Sequence, residues 1–141
     1  MKEIIATPDA PAALGPYAQA IKVNDMIFVS GQLPINPKTN ELILGTITEQ
    51  TEQVLLNLRA ILEEAEATLD DVVKINIYMM DLEEFDEMNR IYQLFFPNTA
   101  VSTNLLPARA TVQVARLPRD AKIEMEAIAV ISHSEYAPEL Y

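Results

Sequence analysis

Arg109, Thr111 and Gln113 alternate along one strand-like segment, and Glu124 and Glu126 alternate along the next. Side chains two apart on a strand share a face. A guanidinium presents a planar fork that grips a carboxylate through two parallel hydrogen bonds, and a nearby carboxyl can pass protons to and from water. Set around one groove, these groups suit hydrolysis of a small carboxylic acid. The same residue types also build ordinary structural ion pairs, so both readings stand on the residues alone. Turn chemistry in Leu117-Pro118-Arg119-Asp120 joins the two segments and is compatible with a hairpin, with Gln113 opposite Glu124 if the polar faces coincide.

Other chemistries lack their residues. The only histidine, His133, lies just past the last strand and reads as a solvated tail residue. Ser-His-Asp triads and two-histidine metal sites are hard to build without more. There is no cysteine, and Gly15, Gly31 and Gly45 form no phosphate-binding signature. Glu63-Glu64, Asp70-Asp71, Glu83-Glu84 and Asp86-Glu87 fall on the polar sides or ends of helices, where charge runs solvate the surface. No metal and no cofactor are expected.

Ten basic residues against 21 acidic ones give a net charge of -11, which opposes phosphate neutralisation and disfavours nucleic acid as a partner. Arg109, Arg116, Arg119 and Lys122 fall in one short stretch, read as cations on strand ends and a turn. Met1-Lys2-Glu3-Ile4-Ile5 runs to Pro8 without a sustained apolar stretch, so no secretory signal or membrane span is expected and a cytoplasmic protein is. With 141 residues, half of them hydrophobic, a single domain over residues 1–131 is expected, followed by a tail over 132–141.

The elements that would position these groups follow from periodicity. Residues 17–23 and 26–30 favour strands, and Asn24-Asp25 between them suits a tight hairpin because both tolerate positive φ. Val54, Leu55, Leu58, Ile61, Leu62 and Ala65 recur at helical spacing, which predicts a helix over 48–65 started by a Thr46/Glu49 capping box. Over 72–80 the period returns to two, with Val73, Ile75, Ile77 and Met79 on one face. Asp81 and Glu84 signal a second helix, whose stripe of Phe85, Met88, Tyr92, Phe95 and Phe96 ends at Pro97. Strands over 108–116 and 122–131 complete a β-β-α-β-α-β-β order, an α+β sandwich of a mixed sheet with two helices on one face. In the last strand Glu124 and Glu126 share their face with Ile128 and Val130, and so half-apolar a face suggests a partner subunit.

Several motifs carry a family resemblance. Gly15-Pro16-Tyr17-Ala18-Gln19-Ala20, Val29-Ser30-Gly31-Gln32, Gln50-Thr51, Leu69-Asp70-Asp71-Val72-Val73-Lys74, Pro107-Ala108-Arg109 and Val114-Ala115-Arg116-Leu117-Pro118 resemble motifs of the reactive-intermediate deaminases, the RidA or YjgF-like family. Glu124-Met125-Glu126-Ala127-Ile128-Ala129 is similar to that family's closing signature, and the match covers about residues 8–130. The resemblance implies a chorismate-mutase-like fold, a homotrimer, and a site in each of three clefts between subunits. It further implies hydrolysis of 2-imino acids such as 2-iminobutanoate and 2-iminopropanoate to 2-oxo acids and ammonia, without metal or cofactor. In that reading Arg109 holds the substrate carboxylate and Glu124 positions or activates water, while Tyr17, Ser30, Gly31, Asn89 and Thr111 line the cleft.

The chain departs from the family in places. Thr111 stands where many active members have cysteine, Asn40 and Glu66 stand where glycine is usual, Gln113 replaces a common glutamate, and residues 97–106 form a longer segment. Two other functions compete with the deaminase: a non-catalytic regulator or interaction module that binds 2-oxo acids in the same cleft, and the ribonuclease or translation-inhibitor activity sometimes attached to the family.

Overall fold

The structure is a computed structural model and describes residues 1–97 and 106–131. The 132–141 tail with His133, and the 97–106 segment apart from its two ends, lie outside the described residues.

Six strands form one mixed sheet: β1 (Lys2–Ile5), β2 (Ala20–Val23), β3 (Met26–Gln32), β6 (Val72–Met79), β7 (Ala108–Gln113) and β8 (Ile123–Val130), in the order β1-β2-β3-β8-β6-β7. Two short strands, β4 (Ile35–Asn36) and β5 (Glu41–Leu42), pair as a separate ribbon. Helices α1 (Ile47–Glu64) and α2 (Phe85–Phe95) cover one sheet face. The architecture is the expected α+β sandwich, with β1 and the β4-β5 ribbon as additions.

Helix α1 starts where the capping box places it. Thr46 Oγ1 accepts from the Glu49 amide, and the Glu49 carboxylate accepts from the Thr46 amide. Its Val54, Leu55, Leu58, Ile61 and Leu62 are sealed against the sheet, each worth about 1.5–3 kcal/mol of burial. Asp81 caps a short 3-10 turn over Leu82–Glu84, and α2 begins only after it. Asn24 takes φ 54° in the β2-β3 turn, as a tight hairpin there requires.

Two expectations change. In β6 the register with β8 shifts between Val72 and Lys74, so Val72 turns inward and Val73 is exposed, while Ile75, Ile77 and Met79 keep the buried face. The last two strands do not form a hairpin. β7 pairs parallel with β6, β8 lies between β3 and β6, and Gln113 sits beside Met79 rather than Glu124. Burial explains the order. Ile123, Met125, Ala127 and Ala129 give β8 a fully apolar inner face fit for the sheet centre, whereas β7 carries Arg109, Thr111 and Gln113 inward and suits an edge.

Candidate active site

Sheet order decides which polar groups meet. Directly paired strand residues share a face. Arg109, Thr111 and Gln113 pair with Ile75, Ile77 and Met79 and therefore face the helices, while Glu124 and Glu126 pair with Tyr78 and Asn76 on the open face. Within one chain Arg109 and Glu124 thus point to opposite sides of the sheet, from strands separated by β6. A single groove bordered by both, the consequence of the hairpin register, is not formed by one copy.

Each side nonetheless assembles a constellation. On the helix side, Arg109 Nη1 donates to Asn89 Oδ1 at 2.6 Å. Its guanidinium carbon lies 4.8 Å from the Tyr92 ring centroid and 5.4 Å from that of Phe85. Residues 85, 89 and 92 follow helical spacing, so one face of α2 presents ring, amide and ring to the cation. Burial pushes the Tyr92 phenol up to about 12, against the opposing pull of the Arg109 charge. Thr111 Oγ1, two residues along the same face of β7, is buried with no hydrogen-bond partner among the described residues. Asn89 Oδ1 takes one of the guanidinium's five N–H donors, which leaves further donors for an anion.

On the open side, Tyr17, Ser30, Gly31, Glu124 and Glu126 line a cleft of about 450 Å³. The strand register slips between Val29 and Gln32, so Ser30 and Gly31 bulge away from β8. Ser30 Oγ donates to the Ala18 carbonyl at 2.6 Å, and the Ser30 amide donates to the Gln19 carbonyl at 2.9 Å, which anchors the bulge to the incoming chain. The Tyr17 hydroxyl accepts from the Leu14 amide at 3.0 Å. Gly31 has an ordinary φ, so its role is close approach. A Cβ there would overlap the Glu124 carboxylate oxygen and come within 2.9 Å of the carboxyl carbon.

The two carboxylates differ in surroundings. Glu126 Oε2 accepts from Tyr78 Oη at 2.6 Å and from Asn76 Nδ2 at 3.0 Å. The bond to Glu126 is the main reason the Tyr78 phenol is pushed up to about 12. Glu124 is half-buried, and first burial, then the Glu126 charge, raises its carboxyl above the ordinary range. A carboxyl whose proton affinity is raised in this way is suited to general acid–base work.

The seven site residues read from the sequence therefore fall into two groups, Tyr17, Ser30, Gly31 and Glu124 on one side and Asn89, Arg109 and Thr111 on the other. Sequence reasoning missed the roles of Phe85 and Tyr92 under the guanidinium, although their spacing from Asn89 carried the signal. It also missed the Asn76 and Tyr78 bonds to Glu126, which only the β6-β8 register reveals. The remaining cations do not gather: Arg116 pairs with Asp120 at 2.8 Å and Arg119 donates to the Asn40 carbonyl. No group of three or more metal-ligating side chains occurs among the described residues, and no helix there is long and apolar enough to cross a membrane.

Comparison with known proteins places this arrangement in context. A family model described as Endoribonuclease L-PSP matches residues 7–131. A RutC family protein of Pyrococcus abyssi is 52% identical over 128 residues, covering 91% of this chain and 96% of that protein. The 2-iminobutanoate/2-iminopropanoate deaminase of Escherichia coli is 45% identical over 130 residues, covering 92% and 98%. Among solved structures, RidA from the Antarctic bacterium Psychrobacter superposes with a TM-score of 0.84 at 42% identity, covering 92% of this chain and 99% of that one. E. coli TdcF with bound serine gives 0.84 at 40% identity, again covering 92% and 99%.

Proposed function

Because this chain belongs to the Endoribonuclease L-PSP family, which takes in the RidA and YjgF proteins, we propose that it hydrolyses small 2-imino acids such as 2-iminobutanoate and 2-iminopropanoate to 2-oxo acids and ammonia. The catalytic clefts lie between subunits of a homotrimer. The observation that carries this reading is the split constellation. Arg109 with spare donors and Glu124 with a raised proton affinity face opposite sides of one sheet, so only two neighbouring copies can bring them to one ligand. The serine seen in TdcF is consistent with a ligand of this size and charge.

In the proposed cleft one copy supplies Arg109, held by Asn89 and the two rings, to grip the substrate carboxylate. The next copy supplies Glu124, pressed against Gly31, beside Tyr17 and Ser30. Water oriented by the ionised Glu124 attacks the C=N carbon and forms the C–O bond as its proton passes to the carboxylate. Glu124 returns that proton to the nitrogen to give a carbinolamine, then takes the hydroxyl proton and passes it to the nitrogen in turn, so that the C–N bond breaks as the C=O bond forms, ammonia leaves and the 2-oxo acid remains. The Thr111 hydroxyl, free among the described residues, is a candidate hydrogen-bonding group for the ligand. No step calls for a metal or an organic cofactor.

A coupled assay tests the reading: threonine dehydratase generates the imine, and imine decay and ammonia release are followed with and without this protein. Faster decay is expected, and Arg109→Ala is expected to lower kcat/KM by about 100-fold or more, the loss of a bidentate charge-assisted clamp. Binding of 2-oxobutanoate with no acceleration would instead identify a sensor.

A further inference from the structure

We propose that Glu126, clasped by Tyr78 and Asn76, is a positioning residue for this hydrolysis: its anchored carboxylate sits beside Glu124 and makes Glu124 the carboxyl of the pair that carries and passes on the proton. The inference rests on the deaminase reading for its use and on geometry for its existence. Glu124 and Glu126 stand two residues apart on one face of β8, roughly 7 Å along the strand. Both line the same cleft. Their hydrogen-bond donors are distributed unequally. Glu126 receives the Tyr78 hydroxyl and the Asn76 amide, whereas Glu124 has no hydrogen-bond partner among the described residues and lies against the Gly31 backbone. Donors stabilise an ionised carboxylate and burial without donors destabilises one, so the pair shares its proton unevenly.

The surrounding charges keep this order. From β6, Lys74 lines a second hollow with Glu126, Asn76 and Phe28. β3 contributes no ionisable side chain over Met26–Gln32. The incoming chain adds Tyr17 to the cleft. The connection before β8 carries Arg116 and Asp120, bonded to each other, Arg119, bonded to the Asn40 carbonyl, and Lys122. Arg109 of the next copy would face Glu124 in wild type and variant alike, so it cancels in a comparison between them. The upward displacement of Glu124, by burial first and by the Glu126 charge second, agrees with this arrangement.

The test is a carboxyl titration by NMR on ¹³C-glutamate-labelled full-length protein, with the two resonances assigned from Glu124→Gln and Glu126→Gln spectra. In Glu126→Gln, which can still accept the Tyr78 and Asn76 bonds, the Glu124 midpoint is expected to fall. In Tyr78→Phe, which removes one of the two donors that hold Glu126, the Glu124 midpoint is expected to move in the same direction. The acid limb of the kcat/KM profile in Glu126→Gln should move down with the Glu124 midpoint. A Glu124 midpoint unmoved in Glu126→Gln overturns the proposal; if that variant does not fold, a Glu124 midpoint unmoved in Tyr78→Phe does so. The titration needs no substrate. A protein that shows the expected movement of the Glu124 midpoint yet never accelerates imine decay therefore overturns the deaminase and leaves the carboxylate pair standing.

Discussion

Gly31 and Glu124 make one unit, because the carboxylate occupies the volume a side chain at position 31 would need. Gly31→Ala should leave the fold intact, since the group displaced is the end of a flexible side chain, but it should move the Glu124 carboxyl, the proposed proton carrier. A fall in kcat of about 10- to 100-fold is expected, the scale of a misplaced catalytic group, and steady-state kinetics against the coupled assay would show it. Glu124 itself trades stability for reactivity. Its folded carboxyl binds a proton more tightly than the ordinary value of 4.5, so its contribution to stability is fully present below that value and is lost as pH rises through the folded value. Glu124→Gln should therefore melt higher than wild type at neutral pH, with the difference shrinking as pH falls toward 4.5, as thermal melts across a pH series would reveal. Arg109 and Glu124 were legible as residue types in the sequence, and the motif match singled them out. What the sequence could not supply was their relative direction. Strand periodicity fixes which residues share a face within one strand, but which face meets the helices depends on strand order.

At the ends of the elements local chemistry governs, and there sequence and structure agree best. The Thr46/Glu49 box starts α1 as its residue types require. The same helix ends in a Schellman pattern: the Ala67 amide donates to the Leu62 carbonyl and the Glu66 amide to the Glu63 carbonyl, with Glu66 at φ 64°. That left-handed position favours glycine. Relief of roughly 1–2 kcal/mol of strain in Glu66→Gly is partly offset by the greater freedom of glycine in the unfolded chain. A net gain of about 0.5 kcal/mol is expected, seen as a small rise in Tm, and a lower Tm would refute it. The strand pairings were harder to read. The Leu117-Pro118-Arg119-Asp120 turn suggested a hairpin, yet the connection passes over the end of β6, with Val114 bonded to the Met79 carbonyl and Met80 to the Lys122 carbonyl. Local turn chemistry is the same for both paths, and only the burial demand of the sheet centre separates them. The four-residue β1 (Lys2–Ile5) is too short to leave a periodic signature, and the Val73 bulge breaks the alternation that the sequence pattern assumed.

Across the whole molecule the two sheet faces differ in kind. One is sealed by α1 and α2, while the open face leaves Ile4, Met26, Phe28 and Val130 exposed beside the cleft that holds Glu124. Apolar groups in that position fit burial against further copies of the chain, and a cyclic assembly would set the Arg109 edge of one copy against the Glu124 cleft of the next. The most direct measurement is subunit complementation. Arg109→Ala and Glu124→Gln chains, each expected to be nearly inactive alone, are coexpressed, and the mixed assemblies are assayed for imine hydrolysis. If each cleft draws Arg109 from one copy and Glu124 from its neighbour, random assembly of equal amounts leaves roughly one quarter of the clefts with both residues intact, and activity should return to about that fraction of wild type. Mixed assemblies no more active than the two variants measured separately would contradict a site shared between subunits.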